Sequence, residues 1–289
     1  MLSKRIIASI ILKDGIVVQS VGFKHYLPIG SPEIAVEFLD AWGADEIVVL
    51  DICASRENRT MDGELLSRLA TKSMVPLTVG GGINSVEMIR QLIRKGADKV
   101  VINRAAIDNP GLIAEAAKIF GNQCITVSID AKEIEKGRYE VFVDSGQVGT
   151  GRDPVEVAQS STAQGAGEIL IRSINRDGSK KGFDRELIRS VSEAVDVPVV
   201  AAGGCGNPQH IADAFREGHA DAVAVGNFFN FTEHSVTVTK AFLEPHFPIR
   251  LDTYATYEHA ALGGDGRLEK QSDVVLEGLR FEYHPKEII

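Results

Sequence analysis

The sequence predicts an α/β fold, a (β/α)8 barrel with an internal twofold repeat, and three observations point to it. Short apolar, β-branched runs alternate with stretches of helical period, as in a parallel sheet wrapped by helices. That alternation yields eight units. The second half also repeats the first. Gly43-Ala44-Asp45-Glu46 returns as Gly165-Ala166-Gly167-Glu168, Val75-Pro76 as Val197-Pro198, and Gly81-Gly82 as Gly203-Gly204, each 122 positions on (43 to 165, 75 to 197, 81 to 203). An open doubly wound sheet is the alternative, which the even unit count and the half-on-half repeat disfavour.

The first strand is Arg5–Leu12. Lys4-Arg5 ahead of Ile6–Leu12 imitates a secretory signal, but the run is short, lacks a small-residue cleavage site and stops at the turn Lys13-Asp14-Gly15. The other strands are Glu46–Asp51, Leu77–Val79, Lys99–Asn103, Cys124–Asp130, Glu168–Ser173, Val199–Ala202 and Asp221–Val225. Helices start near Ser31-Pro32, Asp62, Asn84-Ser85, Asn109-Pro110, Asp153-Pro154, Asp184, Asn207-Pro208 and Thr232, several with an N-cap residue and proline in the first turn. Residues 131–151 are too long for a simple βα loop, and Tyr139–Val143 follows the turn-like Lys136-Gly137, so an added hairpin is expected after strand five. Residues 1–250 form a single barrel domain. Residues 251–289, with Gly263-Gly264-Asp265-Gly266 and a strand-like Val274–Leu276, form a C-terminal extension to which the sequence assigns no role.

Composition narrows the function classes. The chain has 289 residues, and one such barrel takes about 250. A hydrophobic content of 44% and a charged content of 25% are those of an ordinary soluble domain. The net charge of −9 argues against broad nucleic-acid or anionic-lipid partners, which need a basic face. No stretch is long enough to span a bilayer. Cys53, Cys124 and Cys205 are odd in number and lack metal spacing, so reduced thiols in a cytoplasmic protein are expected, with no metal and no cofactor.

Active sites of such barrels lie at the C-terminal ends of the strands. Gly81-Gly82 leaves strand three and Gly203-Gly204 leaves strand seven, each just ahead of a helix. Glycines admit an anion to the backbone N–H groups and the helix N-terminus favours it, so the pair suggests a ligand with a phosphate at each end. The alternative is that these glycines only make tight turns. Asn103 and Arg104 end strand four and Gly226 ends strand eight, so each is placed to complete one cradle, and Gly178 is a further candidate phosphate-site glycine, in the turn-like Asp177-Gly178. Asp130 ends strand five where a general acid or base would sit, or it anchors the adjacent hairpin. The beginnings of the two halves repeat less exactly, at an offset of 119, so Ser128-Ile129-Asp130 matches Ser9-Ile10-Ile11. Ile11 therefore stands where a second acid would be, and an isoleucine moves no proton. Asp51 and Asp177 also close strands or open loops, as site residues or turn formers. At the other end Arg5, Glu46, Lys99 and Glu168 begin strands one, two, four and six. These two cations and two anions either face water or close a ring of ion pairs beneath the core.

Several segments then match a known family. Lys4-Arg5-Ile6-Ile7, Val49-Leu50-Asp51-Ile52, Thr78-Val79-Gly80-Gly81-Gly82-Ile83, Gly96-Ala97-Asp98-Lys99, Ser128-Ile129-Asp130-Ala131-Lys132 and Arg176-Asp177-Gly178 resemble the cyclase subunit of imidazole glycerol phosphate synthase, the HisF family, over residues 1 to about 250. The resemblance implies a glutaminase partner docked at the N-terminal face. It also implies ammonia passing through the barrel to a phosphorylated substrate, gated by Arg5, Glu46, Lys99 and Glu168. Asp98 matches a family residue at the glutaminase interface. The family's two catalytic aspartates fall on Ile11 and Asp130. Gln19 stands for a lysine, Arg104 for a phosphate-site threonine, Ala202 for a serine and Asn175 for an acid. The docking half therefore looks intact and the chemical half altered.

The expected function is that of an ammonia-conducting subunit of a glutamine-dependent amidotransferase complex. It resembles paralogues that serve surface-polysaccharide (lipopolysaccharide) sugar amidation, where a third protein performs the amidation. The alternatives are a genuine cyclase subunit of histidine biosynthesis and a phosphosugar isomerase of the related two-phosphate barrel type.

Overall fold

The computed structural model describes residues 3–251 except Glu233, together with Glu269, Ser272 and Val274. The C-terminal extension lies almost wholly outside the described residues. In chain order the strands are β1 (Arg5–Lys13), β2 (Ile16–Val21), β3 (His25–Gly30), β4 (Glu46–Asp51), β5 (Leu77–Gly80), β6 (Lys99–Ile102), β7 (Ile125–Glu135), β8 (Arg138–Val143), β9 (Val148–Gly149), β10 (Glu168–Ser173), β11 (Val199–Ala202) and β12 (Ala222–Val225). The helices are α1 (Pro32–Ala41), α2 (Gly63–Ala70), α3 (Val86–Arg94), α4 (Arg104–Asp108), α5 (Gly111–Phe120), α6 (Pro154–Ala163), α7 (Arg185–Ser192), α8 (Pro208–Arg216), α9 (Asn227–Asn230) and α10 (Ser235–Leu243). Among the described residues no helix is long and apolar enough to cross a membrane.

The parallel strands close on themselves in the order β1-β4-β5-β6-β7-β10-β11-β12 and back to β1, which makes the predicted eight-stranded barrel. Strand periodicity divides the core in two. Outward residues such as Ile6, Ile47, Val100 and Ile169 pack under the helices. Inward residues, among them Ile7, Val48, Val101, Leu170 and Val200, fill the barrel itself. Helix starts follow the capping rule: the side chains of Asp62, Ser85, Asp153, Asp184 and Asn207 accept first-turn N–H groups. At the barrel's lower end three aspartates clamp strand starts. Asp45 accepts from Ile6 N at 2.7 Å, Asp98 from Leu77 N at 2.8 Å and Asp221 from Val199 N at 3.0 Å.

The hairpin expected after strand five is present. β7 runs past the barrel rim and pairs antiparallel with β8, which pairs with β9. Three departures from the sequence reading share one origin, the loops at the upper rim. β1 also runs on into an antiparallel hairpin, with β2 and β3 above the first βα loop. A short helix, α4, precedes α5, so Pro110 caps a second helix after strand four rather than the first. Another, α9, follows strand eight, and the helix expected at Thr232 begins at Ser235.

Candidate functional site

Two clefts open at the upper rim. The first, about 850 Å³, is bounded by Gly80–Gly82, Asn103, Ser128 and Asp130. The second, about 470 Å³, is bounded by Gly178, Gly203, Gly204 and Gly226. Ile11, Ser20 and Arg172 line both, so they stand between the two glycine cradles. The turns demand their glycines. Gly81 has φ +133° and a Cβ there would lie 2.5 Å from Asp51 O, while Gly204 has φ +106° and its Cβ would lie 2.2 Å from Gly182 O.

Gly226 is a different case. It caps α9 with φ −105° and ψ −89°, close to the φ −117° and ψ −90° of Asn103, which caps α4. The two positions are repeat equivalents (103 to 226), and an asparagine adopts the backbone without strain. Asn103 uses its amide to donate to Ser128 O at 3.0 Å and to Asp130 at 3.2 Å. The second half has neither the amide, at Gly226, nor the acid, at Ile11. The amide–carboxylate pair is present in one half only.

Asp130 is buried, and its Oδ1 has no hydrogen-bond partner among the described residues. Burial pushes its carboxyl up to about 6, with nearby Arg172 opposing and Asp177 adding to the rise. A carboxyl so poised exchanges a proton near neutral pH. Asp51 and Asp144 line the same cleft, but among the described residues no second acid shares a hydrogen bond with Asp130. Asp51 accepts Arg59 Nη1 at 2.6 Å and Cys53 N at 3.0 Å. Asp177 accepts the Ser20 hydroxyl at 2.6 Å and Phe23 N at 3.3 Å, which ties the β2–β3 hairpin to the loop after β10. Both carboxylates are committed to holding loops.

The remaining predicted positions divide. Arg104 lines the first cleft, but its guanidinium bridges Asp108 at 2.9 Å and Asp144 at 2.6 Å, so it struts α4 against the β8–β9 turn. Ala202 lines the second cleft. Gln19 lies within β2 opposite Leu27, and Asn175 accepts Glu133 N at 2.8 Å on the exposed rim. At the surface Asp14, Cys53 and Glu57 bring ligand atoms within 4.8 Å of one another, yet burial pushes the Cys53 thiol up, against thiolate ligation.

Arg172 was absent from the sequence reading. It extends the inward parity of Glu168 and Leu170 to the top of β10, where β7 sets it in register with Asp130. Only 8% of it is exposed, and its guanidinium makes no hydrogen bond or ion pair among the described residues. It packs over the Phe23 ring at 5.6 Å.

At the lower end the four predicted charges do close a ring. Arg5 Nη1 meets Glu46 at 3.0 Å, Lys99 meets the same carboxylate at 2.8 Å and Glu168 at 3.5 Å, and Arg5 Nη2 closes the circuit on Glu168. Burial works against the Arg5 charge, but Glu168 and Glu46 outweigh it and hold its pKa above the ordinary value. Thr78 and Thr126 donate to Glu46 at 2.6 Å and Glu168 at 3.2 Å, so both buried carboxylates are supported from above. Asp98, an expected partner contact, is exposed on this face while its carboxylate holds Leu77 N.

A family model described as "Histidine biosynthesis protein" matches residues 5–235, which spans all eight barrel strands and both clefts. The match covers well over half of the chain, and the chain belongs to that family.

Proposed function

We propose that, within the histidine-biosynthesis protein family, this chain is a HisF-like ammonia-conducting subunit and no longer a competent cyclase. A glutaminase docks at the lower face, and ammonia enters through the ring of Arg5, Glu46, Lys99 and Glu168. It leaves at the upper rim for an acceptor handled by a third protein, an acetamido sugar of surface polysaccharide. A phosphorylated ligand in the glycine cradles reports occupancy across the barrel.

One contrast carries this reading. The lower ring keeps all four charges in contact, while the upper site offers Ile11 and Gly226 where the other half has Asp130 and its amide partner Asn103. A closed ring built on two buried carboxylates and two partly buried cations is a costly way to hold a barrel together, since apolar replacements of buried ion pairs are often as stable. Its retention fits a passage that must recognise a small polar molecule. Loss of one general acid–base group costs roughly 10²–10⁴-fold in rate, enough to disable ring closure.

The second reading is a working cyclase subunit of histidine biosynthesis, and the Asp130 carboxyl near 6 favours it. Mixing the purified chain with the family's bisphosphate substrate and ammonium salt separates the two. The proposal expects no imidazole product but a rise in glutaminase turnover when the partner is added. Robust product overturns it, and so does a glutaminase that neither binds nor responds.

A further inference from the structure

We infer that the barrel mouth binds a phosphorylated sugar acid: phosphate in the Gly81–Gly82 cradle, carboxylate on the Arg172 guanidinium, and the neighbouring hydroxyl on Asp130 Oδ1. This rests on, and names the ligand for, the phosphate-bearing occupant proposed above.

Two independent orphans carry the inference. Arg172 is more than nine-tenths buried with a guanidinium that has no polar partner among the described residues. A buried cation without hydrogen-bond partners is expensive, so its presence calls for an anion that arrives from outside. Asp130 Oδ1 is buried and likewise without a donor. The two residues are register partners on adjacent strands, so one ligand group reaches both. An aldonate fits that pair: its carboxylate offers two acceptors to the guanidinium fork, and its 2-hydroxyl donates to the neighbouring acid. A simple alcohol satisfies Asp130 and leaves Arg172 bare.

The geometry also chooses the cradle. Arg172 and Asp130 line one cleft together with Gly81 and Gly82, whereas the second cleft contains Arg172 without Asp130. Phe23 holds the guanidinium in place from above by its ring face. The repeat equivalent of Arg172 is Leu50 (50 to 172), so this cation belongs to one half alone.

The test is calorimetric titration of the purified chain with two probe pairs, 4-phosphoerythronate against erythritol 4-phosphate and 6-phosphogluconate against glucitol 6-phosphate. At pH 7.5 the better acid binds at least about tenfold tighter than its own alcohol, as charge-assisted hydrogen bonds allow. Arg172→Met brings acid and alcohol within about twofold, Arg172→Lys keeps part of the preference, and Asp130→Asn weakens both members of a pair. Cooperative thermal unfolding confirms that each variant is folded. Equal affinity of acid and alcohol, no binding of either, or a preference that survives Arg172→Met overturns the inference. Glutaminase activation measured on the same sample of the unsubstituted chain keeps the two readings apart. Activation without acid preference sinks only the ligand, whereas acid preference without activation sinks only the subunit role.

Discussion

Ile11 and Asp130 stand at the same height on opposite strands of the barrel. Ile11 is in register with Leu50, and Asp130 with Arg172. In one half this level carries an acid and a base. In the other it carries two aliphatic side chains, although the cradles on either side have kept their glycines. The centre of the site has diverged within a frame that has not.

Asp130 should govern the pH dependence of stability. Its folded pKa, about 6, lies above the unfolded value, so its stabilising contribution is complete below pH 4 and lost as pH rises through 6. Replacing it by asparagine removes a penalty of about 3 kcal/mol at neutral pH. Urea denaturation should find Asp130→Asn more stable than the parent at pH 7.5, with the advantage smaller by about 1 kcal/mol at pH 5. A gap independent of pH would contradict it.

At pH 5, where Asp130 is largely protonated, Arg172→Met should leave the barrel as stable as the parent, or more so, because an apolar chain replaces a cation without hydrogen-bond partners among the described residues. The same change removes the charge that opposes Asp130's rise, so its carboxyl should titrate above 6. Carboxyl-carbon NMR of labelled aspartate reads that shift directly.

Lys99→Ala leaves Glu46 and Glu168 with Arg5 as their only cation in the ring. Because Lys99 keeps some solvent access, the cost should fall below that of a fully buried pair, at about 1–3 kcal/mol in chemical denaturation. With a glutaminase present, hydrolysis and delivered ammonia should fall out of step. Matched rates would reduce the ring to a structural device.

Gly204→Ala should cost about 2 kcal/mol or more, since φ is positive and the added carbon meets the Gly182 carbonyl. Gly226→Ala has an ordinary φ, with Ser9 O the nearest atom at 3.1 Å, so it should cost less than about 1 kcal/mol. Paired thermal melts check the difference.

The barrel was legible because burial on both faces makes parallel strands read as short apolar runs, and because prolines and cap residues mark the helices. The four basal charges were legible because a charge opening such a run is conspicuous, but their pairing was not, since Arg5 meets partners 41 and 163 positions away. The β2–β3 hairpin escaped, although the other half has a counterpart: β2 stands to β1 as β8 does to β7, with Ile11 opposite Val18 and Asp130 opposite Phe142. Helices α4 and α9 are too short to show a period. Arg172 is harder to read: counting by twos from Glu168 through Leu170 places it on the inward face, but a charge that closes a strand equally fits a solvent-facing end. That Arg104 struts a loop was not readable at all, since Asp144 lies 40 positions away.

A mouth with matching phosphate cradles at both sides would accept an elongated bisphosphate head-first or tail-first with little preference. The single Asn103–Asp130 pair, facing Gly226 and Ile11, abolishes that ambivalence. On the function proposed above, the guest has one end to present to the first half, so the barrel would assign it direction as well as position.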